Sequence, residues 1–393
     1  MNAGLRIPVA YVPLVDAAPL IIAQELGFAA EEGITLELMK APSWSVVRDA
    51  LTLGQADLAH LLAPLPVAIG LGLAPSPVQL EVAMVLSING SVIGAARDLA
   101  ARVAKAAPTA GFLDAFSVGR ALLSVGPRAL RVGIPFPFST HYELVDYWLG
   151  AIDPAARDRL QIHTVPPPRM SEAVAAGEID LFCVGEPWGS EAVEEGTAEL
   201  LLPGRAIWNH APEKVLALRK GWDLEQPAAL HAAIRAIWRA GRWLSQPGNR
   251  SSASEILSRP EYLDVSPLLI DRALSGRFVV SPRGERRDCP VFVCFHQGAA
   301  NFPWRSQGRW FGHRLALRTG LEQGDAIATA GAIFRSDIYR AAMAEMPSAL
   351  PTSSSKVEGG LPQDLAVPAV GGDLILRADR FFDGAVFDPS LPE

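Results

Sequence analysis

Leu5-Arg6-Ile7-Pro8 opens an apolar strand pattern that runs through a proline-bounded turn into a helical pattern, and Leu130-Arg131-Val132-Gly133-Ile134-Pro135 opens another with the same sequel. Each copy then passes through a helix into a Gly-x-x-Asp-apolar strand entry. These entries are Gly54-Gln55-Ala56-Asp57-Leu58-Ala59 and Gly177-Glu178-Ile179-Asp180-Leu181-Phe182. Matching Arg6 with Arg131 sets the copies 125 residues apart; matching Asp57 with Asp180 sets them 123 apart. Two βαβαβ units of nearly equal size predict two similar α/β lobes, each a doubly wound, mostly parallel sheet. A cleft between such lobes is where a small ligand sits. The repeat points to a binder before any motif is consulted.

Working outward, Asp16 is placed to cap a helix over 18–30, with Pro19 in its first turn and Gly27 near its end. Residues 33–38 alternate as a second strand, Ser43 or Ser45 caps a helix at 46–53, and 57–62 forms a third strand. A fourth strand at 82–88 ends at Asn89-Gly90, where the chain crosses lobes. Strands near 130–136, 161–165 and 179–184 build the second lobe, with helices at 140–150 and 169–176. Pro166-Pro167-Pro168 predicts an extended link between strand and helix. The chain returns near Ile207, so the first lobe takes residues 1–90 and 207–345 and the second 91–206. Ile234, Ile237, Trp238 and Trp243 mark a helical region over 228–245. Residues 347–360, rich in Pro, Thr, Ser and Gly, read as a flexible linker within a 346–393 extension. Its end, Phe381-Phe382-Asp383-Gly384…Phe387-Asp388-Pro389, is apolar enough to dock on the body.

Composition excludes several classes. The 393 residues are 20% charged and 49% hydrophobic, near the globular average. The net charge of −7, without a Lys/Arg stripe, disfavours direct nucleic-acid binding, which needs phosphate neutralisation. The apolar stretch from Leu58 to Leu86 carries Pro64, Pro66, Pro75 and Pro77, so it reads as buried core and not as a membrane span. Only Met1-Asn2-Ala3-Gly4 precede the first strand, too few for a secretory signal, and a cytoplasmic location is expected.

The candidate binding residues have two readings each. Trp44 is a buried loop anchor or an aromatic wall of the cleft, beside a helix N-terminus suited to anions. His141 follows a capping segment, Ser139-Thr140, where a neutral, donating imidazole suits the helix dipole better than a charged one. Glu186-Pro187 follows a strand of the second lobe as a hinge or cleft wall, and Lys214 is a solvated lysine or the cleft's positive charge. Cys289, Cys294 and His296 are too loosely spaced for a zinc site and lack a local fourth ligand. With no phosphate loop, nucleophile elbow or His-Glu-x-x-His, the sequence offers no catalytic constellation and no cofactor.

These pieces occur as a set. Trp44 with Asp57 and Leu61-Leu62-Ala63-Pro64-Leu65-Pro66, Ser139-Thr140-His141-Tyr142-Glu143-Leu144 and Cys183-Val184-Gly185-Glu186-Pro187-Trp188 resemble the nitrate/bicarbonate branch of the solute-binding proteins. So do Pro212-Glu213-Lys214-Val215 and Ala300-Asn301-Phe302-Pro303-Trp304-Arg305-Ser306. The resemblance spans most of residues 5–345 and implies a two-lobed, type 2 periplasmic-binding-protein-like fold. It implies an anion held by Trp44, His141 and Lys214, with donors from Asn89, Gly90 and Ser91; Thr140, Glu186 and Pro187 are further candidates at the cleft. Because an export signal and a lipid-anchor cysteine are not expected here, the resemblance narrows to cytoplasmic nitrate/nitrite sensors of that family. Those imply a partner, an RNA-binding transcription antiterminator of the NasT type, held without ligand and released with it. An importer's binding subunit with a lost signal, and a cytosolic enzyme like the thiamine-pyrimidine synthases, are the competing expectations. Bicarbonate is the competing ligand, disfavoured because a calcium-assisted site would put a carboxylate where Lys214 stands.

Overall fold

The computed structural model describes residues 4–388 and Ser390; Met1 to Ala3, Pro389 and Leu391 to Glu393 lie outside the described residues, including the last residue of the aromatic tail motif. The first four strands are β1 (Leu5–Tyr11), β2 (Ile34–Lys40), β3 (Leu58–Leu62) and β4 (Leu80–Asn89). Then come β5 (Ser91–Ala96), β6 (Leu130–Ile134), β7 (Leu160–Thr164), β8 (Leu181–Gly185), β9 (Ala198–Pro203) and β10 (Pro212–Arg219). Of the next three, β11 (Arg277–Val279) and β12 (Arg286–Asp288) pair with each other, and β13 (Val293–Cys294) joins β4. A six-stranded sheet runs β13-β4-β10-β3-β1-β2, and a five-stranded sheet runs β7-β6-β8-β5-β9.

The repeat is exact in register. Val9 pairs with Leu58 and Ala10 with Ala59 in the first sheet; Val132 pairs with Leu181 and Gly133 with Phe182 in the second. The Asp57 amide donates to the Pro8 carbonyl and the Asp180 amide to that of Arg131. Pro8, not Arg6, is therefore the counterpart of Arg131. A two-residue slip keeps every side chain on its own face, which is why the alternation alone did not reveal it.

The sheets are mixed and not mostly parallel. β1 lies parallel to β2 and β3, and β6 to β7 and β8, but β10 runs antiparallel to β3 and β4, and β5 antiparallel to β8 and β9. Apart from the short β13, the reversed strands are those that receive the chain after each crossing: β5 takes it from β4, and β10 brings it back beside β4. The outward crossing is made by Asn89 (φ 57°) and Gly90 (φ 109°), consecutive residues in left-handed conformations that turn β4 into β5 within a single step. β3, β4 and β8 are buried along their whole length, so they read as continuous apolar runs. Among the described residues no helix is long and apolar enough to cross a membrane.

Four local expectations change. Asp16 caps nothing; it is buried in a short 3-10 turn, Val15–Ala17. The helix over 18–30 is two, Ala18–Glu25 and Phe28–Glu31, divided at Gly27 (φ 76°). Pro166 is extended, but Pro167–Arg169 close a 3-10 turn before the helix Met170–Ala175. Residues 347–360 are not a loose linker. Leu350 pairs with Val370, Arg340 donates to the carbonyls of Pro351, Thr352 and Ser353, and Ser306 donates to the buried Glu358 (2.6 Å). Beyond a ribbon of β14 (Leu365–Ala369) and β15 (Gly372–Leu376), Phe381 packs 4.8 Å from the ring of Trp208 and stacks on Trp310.

Candidate functional site

Two helix starts bring the aromatic and imidazole groups to one place. Ser43 accepts from the Val46 amide (3.4 Å) and caps Trp44–Thr52, so Trp44 sits in the first turn of that helix and not in the loop before it. Ser139 accepts from the Tyr142 amide (3.2 Å) and caps Thr140–Ile152, placing His141 in the first turn there. Thr140 ties this second-sheet helix to the other sheet by donating its hydroxyl to the Pro212 carbonyl at the start of β10 (2.9 Å).

Lys214, two residues further along β10, is fully buried. Its Nζ lies 2.7 Å from Asp16 Oδ2 and 2.8 Å from Glu213 Oε1, and 5.4 Å from the Trp44 ring. Glu213 Oε1 in turn lies 3.2 Å from His141 Nδ1, and Asp16 Oδ1 lies 3.0 Å from His60 Nε2 on β3. The His60 and Trp44 rings are 5.5 Å apart. Gly185, at the end of β8, closes the group: a Cβ there would stand 3.0 Å from Leu14 Cδ2, 3.6 Å from Asp16 Oδ2 and 3.9 Å from His141 Nε2. Side chains from both sheets thus converge on one buried polar cluster, and every member is shut off from solvent.

Burial and charge set the protonation states. Burial alone would raise the Asp16 carboxyl, but Lys214 and His60 outweigh it and hold it at about 2. Burial pushes Glu213 up to about 7, with Lys214 pulling the other way. Burial first, and Lys214 second, push His141 well below the usual histidine range, so its imidazole is neutral. Burial would lower Lys214, yet Asp16 and Glu213 more than offset it. The lysine is a cation already shared by two carboxylates and not the bare positive charge expected from the sequence. That removes the argument against a carboxylate at this position, although among the described residues no group of His, Cys, Asp and Glu is arranged to hold a metal ion.

Several polar atoms here lack a hydrogen-bond partner: both Asp16 carboxylate oxygens, Trp44 Nε1, both ring nitrogens of His60 and of His141, and Glu213 Oε2. An unpartnered donor in an apolar surround costs about 1–3 kcal/mol, so such atoms mark a place built for something else to fill.

Trp44, His141 and Lys214 are brought together; other sequence candidates are not. Asn89 donates Nδ2 to the Asn209 carbonyl (2.8 Å) and lines a separate small cavity with Arg205, His210 and Arg377. Gly90 serves the crossing, its carbonyl accepting from the Glu186 amide (3.2 Å). Ser91 pairs with Gly185 across β5 and β8, beside the buried Cys183 thiol. The Glu186 carboxylate turns away to accept from the Ser190 amide (3.2 Å), while its carbonyl accepts from Val15 (2.8 Å), bonding the segment that bears Asp16. Pro187 follows in a cis peptide. Cys289, Cys294 and His296 do not converge: Cys294 contacts the Gln297 carbonyl and His296 packs edge-on against Trp238. The residues missed were Asp16, assigned to a cap, and His60, one imidazole inside an apolar strand. Glu213 was quoted in the lysine's segment and given no role.

Two sheets with side chains meeting in the cleft between them define a solute-binding protein of the periplasmic-binding-protein fold. The crystal structure of the periplasmic nitrate-binding protein NrtA from Synechocystis PCC 6803 superposes with a TM-score of 0.84 at 27% identity, over 99% of this chain and 97% of that one. Residues 5–258 match the NMT1-like family, and the chain belongs to it. It is 30% identical over 401 residues to the nitrate/nitrite binding protein NrtA of Synechocystis, covering 98% of this chain and 82% of that protein. It is also 31% identical over 316 residues to the nitrate import ATP-binding protein NrtC of the same organism, of whose length it spans 46%. A ligand-binding component of an ABC-type import system from Staphylococcus aureus shares the fold (TM-score 0.65, 17% identity). The chain is a binding protein and not an enzyme, as the NrtA proteins are.

Proposed function

We propose that this protein binds nitrate or nitrite between its two lobes and acts as a cytoplasmic sensor of the NasS type. The observation that carries the ligand reading is the buried convergence of Trp44, His141 and Lys214, with unpartnered nitrogens on Trp44 and His141. The NrtA relatives, named for binding nitrate and nitrite, support it. Nitrate is planar, monoanionic and weakly hydrated; an aromatic face, N–H donors and one ammonium suffice. With four heavy atoms at a ceiling of about −1.5 kcal/mol each, affinity is on the order of tens of micromolar, suited to reporting a nutrient.

The sensor reading is supported by the tail, whose Phe381-Phe382-Asp383-Gly384…Phe387-Asp388 run resembles that of sensor-type members of the family. The sensor holds an antiterminator of the NasT type in the absence of anion and releases it when anion binds. Lobe closure is the two-state element, and a tenfold change in partner affinity requires about 1.4 kcal/mol of differential binding. A second reading, the binding subunit of a nitrate or bicarbonate importer, is favoured by the import-related names of the relatives. Calorimetric titration with nitrate, nitrite and bicarbonate tests the ligand. Pull-down of a NasT-type protein with and without nitrate tests the role: capture only without nitrate is expected, and capture in neither condition returns the importer reading. Identical scattering profiles with and without nitrate would contradict closure.

A further inference from the structure

The cleft holds two carboxylates on one ammonium, and a monovalent oxoanion must approach all three. The facing groups come from every element around the cluster: Asp16 from the 3-10 turn, His60 from β3, His141 from the Thr140–Ile152 helix, Cys183 from β8, and Glu213 and Lys214 from β10. With Asp16 and Glu213 ionised and both imidazoles neutral, the cluster already carries a net negative charge. An entering anion would add to it in a site closed to water.

The imidazole geometry poses the same problem. Neither ring nitrogen of His141 makes a hydrogen bond, but the carboxylate oxygen 3.2 Å from Nδ1 electrostatically favours the single proton of the neutral ring on that nitrogen. Nε2, the nitrogen near Gly185 and without a partner, is then a lone pair that repels an oxyanion. One proton delivered to the pair solves both. On Glu213, it reverses the contact: the carboxyl O–H donates to Nδ1 and the ring carries its hydrogen on Nε2. On His141, it makes both nitrogens donors. Either way Nε2–H faces the cleft and one negative charge is gone.

We propose that nitrate or nitrite enters this cleft together with one proton, lodged on the Glu213–His141 pair, and that Glu213 thereby sets the pH range over which the protein binds. The inference rests on the anion-binding reading given above. The proton comes from the buffer acid or water, an O–H or N–H bond forms within the pair, and the charge of the cluster with its anion equals that of the empty cluster. The position of Glu213, pushed up to about 7 by burial, puts the transition in the neutral range.

Titration calorimetry of the full chain with sodium nitrate, in HEPES and in Tris, counts the protons. Above the Glu213 transition the heat should differ between buffers by close to one ionisation enthalpy, and Kd should weaken about tenfold for each pH unit. Glu213→Gln offers its carboxamide N–H to Nδ1 permanently, so it should bind nitrate with a pH-independent Kd and buffer-independent heat. Nitrate binding in the natural protein with neither pH nor buffer dependence would overturn the proposal and leave the anion site standing. Undiminished proton uptake in Glu213→Gln would overturn the assignment to this pair. If that variant does not fold, the buffer series on the natural protein decides alone. No heat with nitrate or nitrite at any pH would overturn the anion reading and this inference with it.

Discussion

Two lysines among the described residues, the fully buried Lys214 and the half-buried Lys356, are each flanked by two carboxylates, and they differ in what is left over. In the tail, Lys356 contacts Glu358 and Asp379. Trp208 donates to Asp379 (2.7 Å) and Ser306 to Glu358 (2.6 Å), so each carboxylate has a second partner. In the cleft, Lys214 contacts Asp16 and Glu213, but Trp44 Nε1, His141 Nε2 and Glu213 Oε2 have none. The ingredients match: lysine, two acids, a tryptophan and a histidine nearby. Carboxylates that each have a second partner fasten the 347–388 segment to the body, although Trp304 Nε1 beside Lys356 is also unpartnered, whereas the incomplete set between two lobes is what the proposed anion site requires. Residue type does not distinguish the two; unfilled hydrogen-bonding capacity does.

The sharpest way to break this contrast is to remove each lysine. Lys356→Ala strands two buried carboxylates and should cost about 3–5 kcal/mol in urea unfolding, with nitrate affinity retained in the folded fraction. Lys214→Ala should cost a similar amount and abolish nitrate binding. Equal loss of nitrate binding in both variants would erase the distinction.

A smaller effect separates acids that only destabilise from the acid that also binds. Glu186 and Glu213 are each pushed to about 7 by burial. A carboxyl raised in the folded state contributes stability that is present below its unfolded value near 4.5 and lost as pH rises through about 7. Such a shift corresponds to at most about 3 kcal/mol per group. Glu186→Gln and Glu213→Gln should both stabilise at alkaline relative to acid pH in denaturant melts, and only Glu213→Gln should alter nitrate titrations. On the acid side the sign reverses. Burial lowers His60 and His141, and brings His210 to about 4, so stability falls as pH drops below the ordinary histidine range.

The smallest effect compares the indoles. Trp208→Phe removes a bond to a buried carboxylate and should cost about 1–3 kcal/mol of stability without weakening nitrate binding. Trp44→Phe removes an N–H that bonds nothing in the protein, so stability should hold while nitrate Kd rises about tenfold, equivalent to about 1.4 kcal/mol.

Local signals were legible in the sequence and distant ones were not. The strand entries at Asp57 and Asp180 and the caps at Ser43 and Ser139 are written within a few residues, and the fold follows from them. Asp16 satisfies a local cap pattern equally well, but its partners are His60 and Lys214, which the lobe arrangement alone brings near. His60 is hidden because a strand buried along its whole length has no polar face against which a lone imidazole stands out. The 347–360 segment has a linker's composition, and its order comes from Arg340, Ser306 and the aromatic seat of Phe381, none of which is local to it. Trp44, His141 and Lys214 were recognisable as a set through family resemblance, whereas the carboxylates that neutralise the lysine required the geometry.

The most direct test of the cleft as the receptor is a crystal structure of the protein grown with sodium nitrate. The account predicts a planar anion against the Trp44 ring system, within about 3.2 Å of Trp44 Nε1 or His141 Nε2 and of Lys214 Nζ. An ordered nitrate instead in the cavity of Arg205, His210 and Arg377, with the Trp44–Lys214 cluster unchanged, would contradict it.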